Sequence, residues 1–264
     1  MPKISACIVV YNHATEALQA AASVLSHTRK YPLTLYLVDN ASPDGAGDAL
    51  EKALAEKALP AGETQQVTLI RCPENRGFGA GHNQVLSRLD SDVHFILNPD
   101  IQLTADTLCD MADWLAAHPA AVMARPGLVF PDGTPQVLPK RRCSALALVY
   151  RQLPWLRPLK PFNDRYVMAG EDLSGPTEIE FCTGSFMAVR TRIFVEMGGF
   201  DTAYFMYVED ADLTQKALQY GKVYLLPQFT AIHAWHRAPH RDGSHFQMQL
   251  RSMARYFRKW GFRL

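Results

Sequence analysis

No apolar run of about 18 residues occurs in this 264-residue chain, no two of its five cysteines stand as C-x-x-C, and neither sign of charge dominates. The first absence leaves no candidate for a transmembrane helix. The second removes the common zinc and dithiol-redox patterns, so the scattered, odd-numbered set Cys7, Cys72, Cys109, Cys143 and Cys182 reads as reduced, mostly buried thiols of a cytosolic protein. The third, 27 Lys and Arg against 26 Asp and Glu, gives no global attraction to nucleic acid, and any basic partner surface must be local. Neither a charged n-region nor a cleavage-site pattern precedes the first apolar run at Ile4, so the expected location is cytoplasmic. Repeats and low-complexity tracts are lacking too.

What is present is an ordinary globular balance, 48% hydrophobic and 20% charged, which suits one domain over residues 1–264 built from two fused halves, 1–125 and 126–264. Ile4–Tyr11, Leu33–Val38, Val67–Arg71 and Val93–Leu97 are short, β-branched, apolar runs that read as strands. Between them, Thr15–Thr28, Ala46–Ala58 and Gly81–Leu89 carry helical spacing, the last after a glycine-rich loop. This alternation implies an α/β fold with a mainly parallel sheet covered on both faces. Residues 126–176 are proline-rich and irregular. A strand region over Glu178–Val189, helices over Thr191–Met197 and Asp210–Tyr220, and a strand at Val223–Leu225 follow.

Ligands of such sheets sit outside the carboxyl ends of the strands, where this chain places Tyr11-Asn12, Asp39-Asn40 and Asn98-Pro99-Asp100. Asp100 offers a hard oxygen to a divalent cation, with Asn98 a weaker neighbour, although Asn-Pro-Asp is also an ordinary turn. Glu209, Asp210 and Asp212 crowd the start of a helix, beyond what one cap needs, and Asp210 beside Glu209 is the candidate base for an attacking hydroxyl. His233 opens a histidine-rich stretch with His236, His240 and His245. It is the candidate imidazole ligand for the same cation, a four-histidine zinc site being the competing reading. In Glu74–Asn83 the glycines differ in spacing and position from a dinucleotide fingerprint. They suit close backbone approach to a nucleotide, with Arg76 able to meet a phosphate. The tail from Gln249 alternates cations with aromatic residues, and could dock on anionic lipid or cap the domain.

In order along the chain, VVYN (Val9–Asn12), VDNASPDG (Val38–Gly45), ENRGFGAGHN (Glu74–Asn83), LNPD (Leu97–Asp100), TGSFMAVR (Thr183–Arg190), GGFD (Gly198–Asp201) and FMYVEDADL (Phe205–Leu213) together resemble glycosyltransferase family 2, in particular its bacterial rhamnosyltransferase-like branch. The resemblance implies a GT-A fold: a Rossmann-like nucleotide-binding half, then a mixed acceptor-binding half. Tyr11, Asn12 and Asp39 would hold base and ribose, with Asn40 alongside. Asn75, Gly79 and Asn83 would line the nucleotide side, and Thr183 and Gly184 would face the donor sugar or acceptor. Asp100 stands at the last position of a DxD-type motif whose first Asp is replaced by Asn98. Asp100 and His233 would bind Mn2+ or Mg2+, and Asp210 would be the general base. The implied reaction is inverting transfer, with dTDP-L-rhamnose as donor and a glycan or lipid-linked acceptor of bacterial surface polysaccharide. The partners would be donor and acceptor, with no nucleic acid, and the tail would allow peripheral contact with the inner face of the membrane. A UDP-sugar transferase, such as a galactofuranosyl- or glucosyltransferase, and a non-catalytic nucleotide-sugar-binding protein are the alternatives.

Overall fold

The computed structural model describes residues 2–235 and 243–262. Strand β1 (Ile4–Val10) is buried at every position, as a central parallel strand covered on both faces must be. It leads through α1 (Ala14–His27), β2 (Leu33–Asp39) and α2 (Ala46–Ala55) to β3 (Gln65–Arg71), then through α3 (Phe78–Asn83) to β4 (Val93–Leu97). β2 and β4 flank β1 in parallel and β3 lies outside β2. The chain therefore reverses its direction of travel across the sheet at β1, opening a crevice at the carboxyl ends of β1 and β4.

The second half adds β5 (Ile101–Gln102), α4 (Thr107–Ala117), β6 (Ala121–Val129), α5 (Ala145–Gln152), α6 (Lys160–Val167), β7 (Thr177–Glu178), β8 (Phe186–Arg190), α7 (Thr191–Glu196), α8 (Glu209–Ala217), β9 (Lys222–His233) and α9 (Gly243–Trp260). One nine-stranded sheet results, in the order β3-β2-β1-β4-β8-β6-β9-β5, with β7 on β9. β8 runs antiparallel to both β4 and β6, and β5 and β7 run antiparallel to β9. The sheet is thus parallel in the first half and mixed in the second, a GT-A-like α/β architecture. The antiparallel β4–β8 pairing has a functional consequence. It sets Phe186 opposite Leu97, so the turn before β8 lands at the mouth of the crevice.

Several local expectations change. The second part of the glycine-rich stretch is α3 (Phe78–Asn83) rather than a loop, and it packs so closely that a Cβ on Gly79 would overlap Phe200 and one on Gly81 would overlap Val9. Residues 126–176 contain the end of β6 and two helices. Ser144 caps α5 by accepting the Ala147 N–H at 3.3 Å, and α6 carries a proline in its first turn. The strand expected over Glu178–Val189 divides into β7 and β8. Residues 101–125 carry β5, α4 and the start of β6, none of them among the expected elements.

One core cluster joins α1 and α4 to one face of the sheet, and another joins α7 and α8 to the opposite face. A third, containing Cys143, Tyr166, Phe181, Tyr204 and Tyr256, lies beneath α5, α6 and α9. The basic aromatic tail therefore packs on the domain through Tyr256, which is 1% exposed. No cysteine is paired, and all but Cys72 are fully buried. Among the described residues no helix is long and apolar enough to cross a membrane.

Candidate active site

At the end of β2, Asp39 is 3% exposed, accepts the Ser42 N–H at 3.0 Å and stands 3.8 Å from Arg71 Nε. A side chain on Gly47 would occupy the place of the Asp39 carboxylate, so this glycine makes room for the acid. Asn40 Nδ2 donates to Asn75 Oδ1 at 2.8 Å, and the same oxygen accepts the Gly77 N–H at 2.9 Å, tying β2 to the start of α3. At the end of β1, Tyr11 is half exposed and the buried Asn12 Oδ1 has no hydrogen-bond partner. Asn12, His13 and Ala41 all adopt left-handed backbone, an energetically costly arrangement at the mouth of the sheet.

Other nucleotide-side candidates are placed differently. Both ends of the Asn83 amide are engaged by the Phe200 backbone at 2.9 Å, and Gly79 packs against Phe200, so these two residues join α3 to the GGFD segment. Arg76 lies on the surface, 3.4 Å from Glu74. Arg71 was not anticipated. It faces Asp39 across the β2–β3 register and also pairs with Asp48 at 2.8 Å.

The Asn98-Pro99-Asp100 turn brings Asp100 to β9. Ile101 pairs with His233, the Ala234 N–H donates to the Asp100 carbonyl at 3.2 Å, and His233 Nε2 lies 3.4 Å from Asp100 Oδ1. Gln136 decides the chemistry of this contact. Its Nε2 donates to the His233 carbonyl at 2.7 Å, which turns its Oε1 toward His233 Nδ1 at 2.9 Å. By this network Nδ1 carries a ring proton, and Nε2 is the nitrogen turned toward Asp100. Asp100 Oδ1 is buried and accepts no hydrogen bond. A carboxylate oxygen facing an imidazole nitrogen could share a divalent cation, in which case Gln136 would be the outer partner that orients the histidine. Among the described residues no cluster of three or more His, Cys, Asp or Glu side chains could hold a metal. Of the remaining histidines, His245 contacts the Tyr207 hydroxyl at 3.0 Å, while His236 and His240 lie outside the described residues.

Opposite this pair, Thr183-Gly184-Ser185 precedes β8, and the Ser185 carbonyl accepts the Asn98 N–H at 2.9 Å. Thr183 Oγ1 lies 3.2 Å from Ser185 Oγ. The Gly184 N–H donates to Asp210 Oδ2 at 3.0 Å and the Ala211 N–H to Asp210 Oδ1 at 2.8 Å. Tyr207 and Val208, both left-handed, turn the chain sharply into α8 and bring the acids to the mouth. Burial raises the pKa of Asp210, while its backbone N–H donors oppose the rise. Glu209 is 7% exposed, its Oε2 has no partner, and burial followed by the charge of Asp210 pushes its pKa up. Of the adjacent acids, Asp210 is therefore the one equipped to hold a negative charge.

The architecture is the GT-A-like α/β fold of glycosyltransferases. It superimposes with TM-score 0.62 on a mannosyltransferase from Pyrobaculum calidifontis solved with GDP-Man and Mn2+, at 18% identity, covering 98% of this chain and 64% of that one. With GalNAc-T7 bound to UDP, GalNAc and Mn2+ the TM-score is 0.69 at 13% identity, covering 96% and 48%. This chain thus spans less than two thirds of either neighbour. Residues 5–198 match the model of glycosyl transferase family 2, and the chain belongs to that family. It is a rhamnosyltransferase-like member. The N-acetylglucosaminyl-diphospho-decaprenol L-rhamnosyltransferase of Mycobacterium tuberculosis (strain H37Rv) is 27% identical over 243 residues, 86% of this chain and 75% of that protein. Rhamnosyltransferase WbbL of Escherichia coli (strain K12) is 40% identical over 88 residues, 33% of each chain.

Proposed function

We propose that this glycosyltransferase moves L-rhamnose from dTDP-L-rhamnose, with inversion, to a hydroxyl of a diphosphate-linked lipid acceptor of cell-surface polysaccharide. The observation that carries the chemistry is the juxtaposition at one sheet mouth of the Asp100–His233 pair and an Asp210 held by the Gly184 N–H. The two rhamnosyltransferase relatives support the sugar, and the lipid-linked substrate in the mycobacterial enzyme's name supports the acceptor.

Asp39, with Arg71 behind it, would hold the base end of the donor, and Asn40 and Asn75 would frame the nucleotide. Asp100 and His233 would bind Mn2+ or Mg2+, which supplies charge stabilisation to the departing diphosphate. Asp210 takes the proton of the acceptor hydroxyl as its oxygen attacks the anomeric carbon. The carbon–oxygen bond to the diphosphate breaks with its electron pair remaining on the diphosphate, and the new bond forms on the opposite face. Gly184 and Ala211 keep the base ionised and aimed. Protonated Glu209 avoids a second charge beside it.

The test is nucleotide release and sugar transfer from a panel of dTDP-, UDP- and GDP-sugars, with Mn2+, Mg2+ or EDTA, for the wild type and Asp210→Asn. Metal-dependent turnover on dTDP-L-rhamnose should fall by about 10²- to 10⁴-fold in the variant while donor binding persists. Turnover on a UDP-sugar alone would reassign the donor. Tight binding without release, even with a lipid-linked acceptor present, would replace the transferase reading with a binding protein.

A further inference from the structure

A cavity of about 410 Å³ opens between the segment before α5 and helix α6, and none of the polar residues at the ends of β1, β2 and β4 lines it. Three guanidinium groups line it, those of Arg141, Arg142 and Arg165, against two carboxylates, Glu171 and Glu180. Arg141 lies 3.3 Å from Glu171 with both side chains well exposed, a contact weak enough to exchange for a better anion. Glu180 accepts the Arg142 backbone N–H at 3.0 Å, and Arg142 Nε is buried without a hydrogen-bond partner.

Two features connect the cavity to a reaction with a lipid-linked acceptor. Tyr166, which forms part of its wall, is packed in the cluster that includes Ala211, the residue after Asp210. Burial first, then the Cys143 thiol and then the charge of Asp210 raise the Tyr166 pKa. A sugar hydroxyl at Asp210 and an anion in the cavity would thus be neighbours. On the outer side, the same two-helix unit exposes Val149, Trp155 and Leu156, with Trp155 70% exposed. Residues 140–165 hold seven cations and a single acid, Asp164. An apolar edge rimmed by cations suits an isoprenoid chain leaving toward a membrane surface.

We propose that the Arg141–Arg142–Arg165 cavity binds the diphosphate of a polyprenyl-diphosphate-linked sugar, separate from the site of the donor's diphosphate. The inference rests on the acceptor class proposed above. It assigns recognition of that acceptor to charge-assisted, fork-like arginine contacts rather than to its sugar alone.

The test uses the full chain, farnesyl diphosphate as probe and calorimetric titration, with dTDP and inorganic diphosphate as comparison ligands. The variant is Arg141→Gln/Arg165→Gln, one half-buried and one exposed position, with its melting temperature checked against the wild type. Farnesyl diphosphate should bind protein already saturated with dTDP, and should bind the double variant at least about tenfold more weakly, while dTDP affinity stays within twofold. Displacement by dTDP, or equal affinity in the variant, would overturn the proposal. Equally tight binding of inorganic diphosphate would overturn the lipid-linked source and leave a general anion site. Arginine-dependent lipid-diphosphate binding by a protein that transfers no sugar would remove the transferase reading and keep the cavity. Transfer to a lipid-linked acceptor that ignores both substitutions would do the reverse.

Discussion

Glu209 and Asp210 are adjacent in sequence yet differ in what surrounds them. Asp210 receives two backbone N–H groups, whereas the Glu209 carboxyl is buried with Oε2 unbonded. Since the native protein holds the Glu209 proton more tightly than the unfolded chain does, its contribution to stability is intact below the ordinary glutamate pKa. That contribution is lost as pH rises toward the raised value. Glu209→Gln should therefore melt close to the wild type near pH 4.5 and increasingly above it toward pH 8, by about 2–4 °C for each kcal/mol gained. A constant difference across that range in calorimetric melts would show that Glu209 is ionised in the native state. Gln136 acts at the same scale. Gln136→Ala removes the hydrogen bond to the His233 ring and the one to its carbonyl, and Mn2+ affinity measured with dTDP bound should fall about 10- to 100-fold while Asp100 and His233 remain.

At the scale of elements, α3 and the segment entering α8 are interlocked. The Phe78 N–H donates to the Phe205 carbonyl at 3.1 Å, and Gly77 has φ +92 with no room for a Cβ against that same carbonyl. Gly45 shares a left-handed backbone, φ +84, but faces open space. Gly45→Ala should cost about 1 kcal/mol from backbone strain alone. Gly77→Ala should cost about 2–3 kcal/mol more in urea unfolding, and it should lower turnover because Phe205 leads into the strained Tyr207-Val208 turn. Equal costs would show that the α3 contact yields freely.

Across the whole molecule, α9 staples the second half of the chain together. Lys259 Nζ lies 2.9 Å from Asp212 Oδ1, Trp260 Nε1 donates to the same oxygen at 2.7 Å, and Arg255 pairs with Asp201 at 3.2 Å. Asp212 is fully buried. Lys259→Met would leave its charge in the interior without a cationic partner, and should destabilise the protein by about 3 kcal/mol in denaturant titration. A loss under 1 kcal/mol would return the helix to the role of a dispensable tail. Because α9 supports α8, removing it would not test membrane contact cleanly. The exposed apolar residues around Trp155 are the better place to probe such contact.

Much of this protein was legible in the chain itself. The alternation of β-branched runs with helical spacing specified the parallel half, since burial on both faces requires continuous apolar strands. Polar clusters at Asn12, Asp39 and Asp100 marked the strand ends that form the mouth of the sheet. Local pattern could not reveal contacts between residues far apart in sequence. Only the β5–β9 register set His233 against Asp100, and only the folded segment after β6 delivered Gln136 to orient it. The antiparallel β4–β8 pairing likewise brought Gly184 to Asp210, and packing of Tyr256 and Trp260 gave the basic tail its structural role. Short-range periodicity reports which face of an element is buried; which distant polar groups meet is decided by strand order and register.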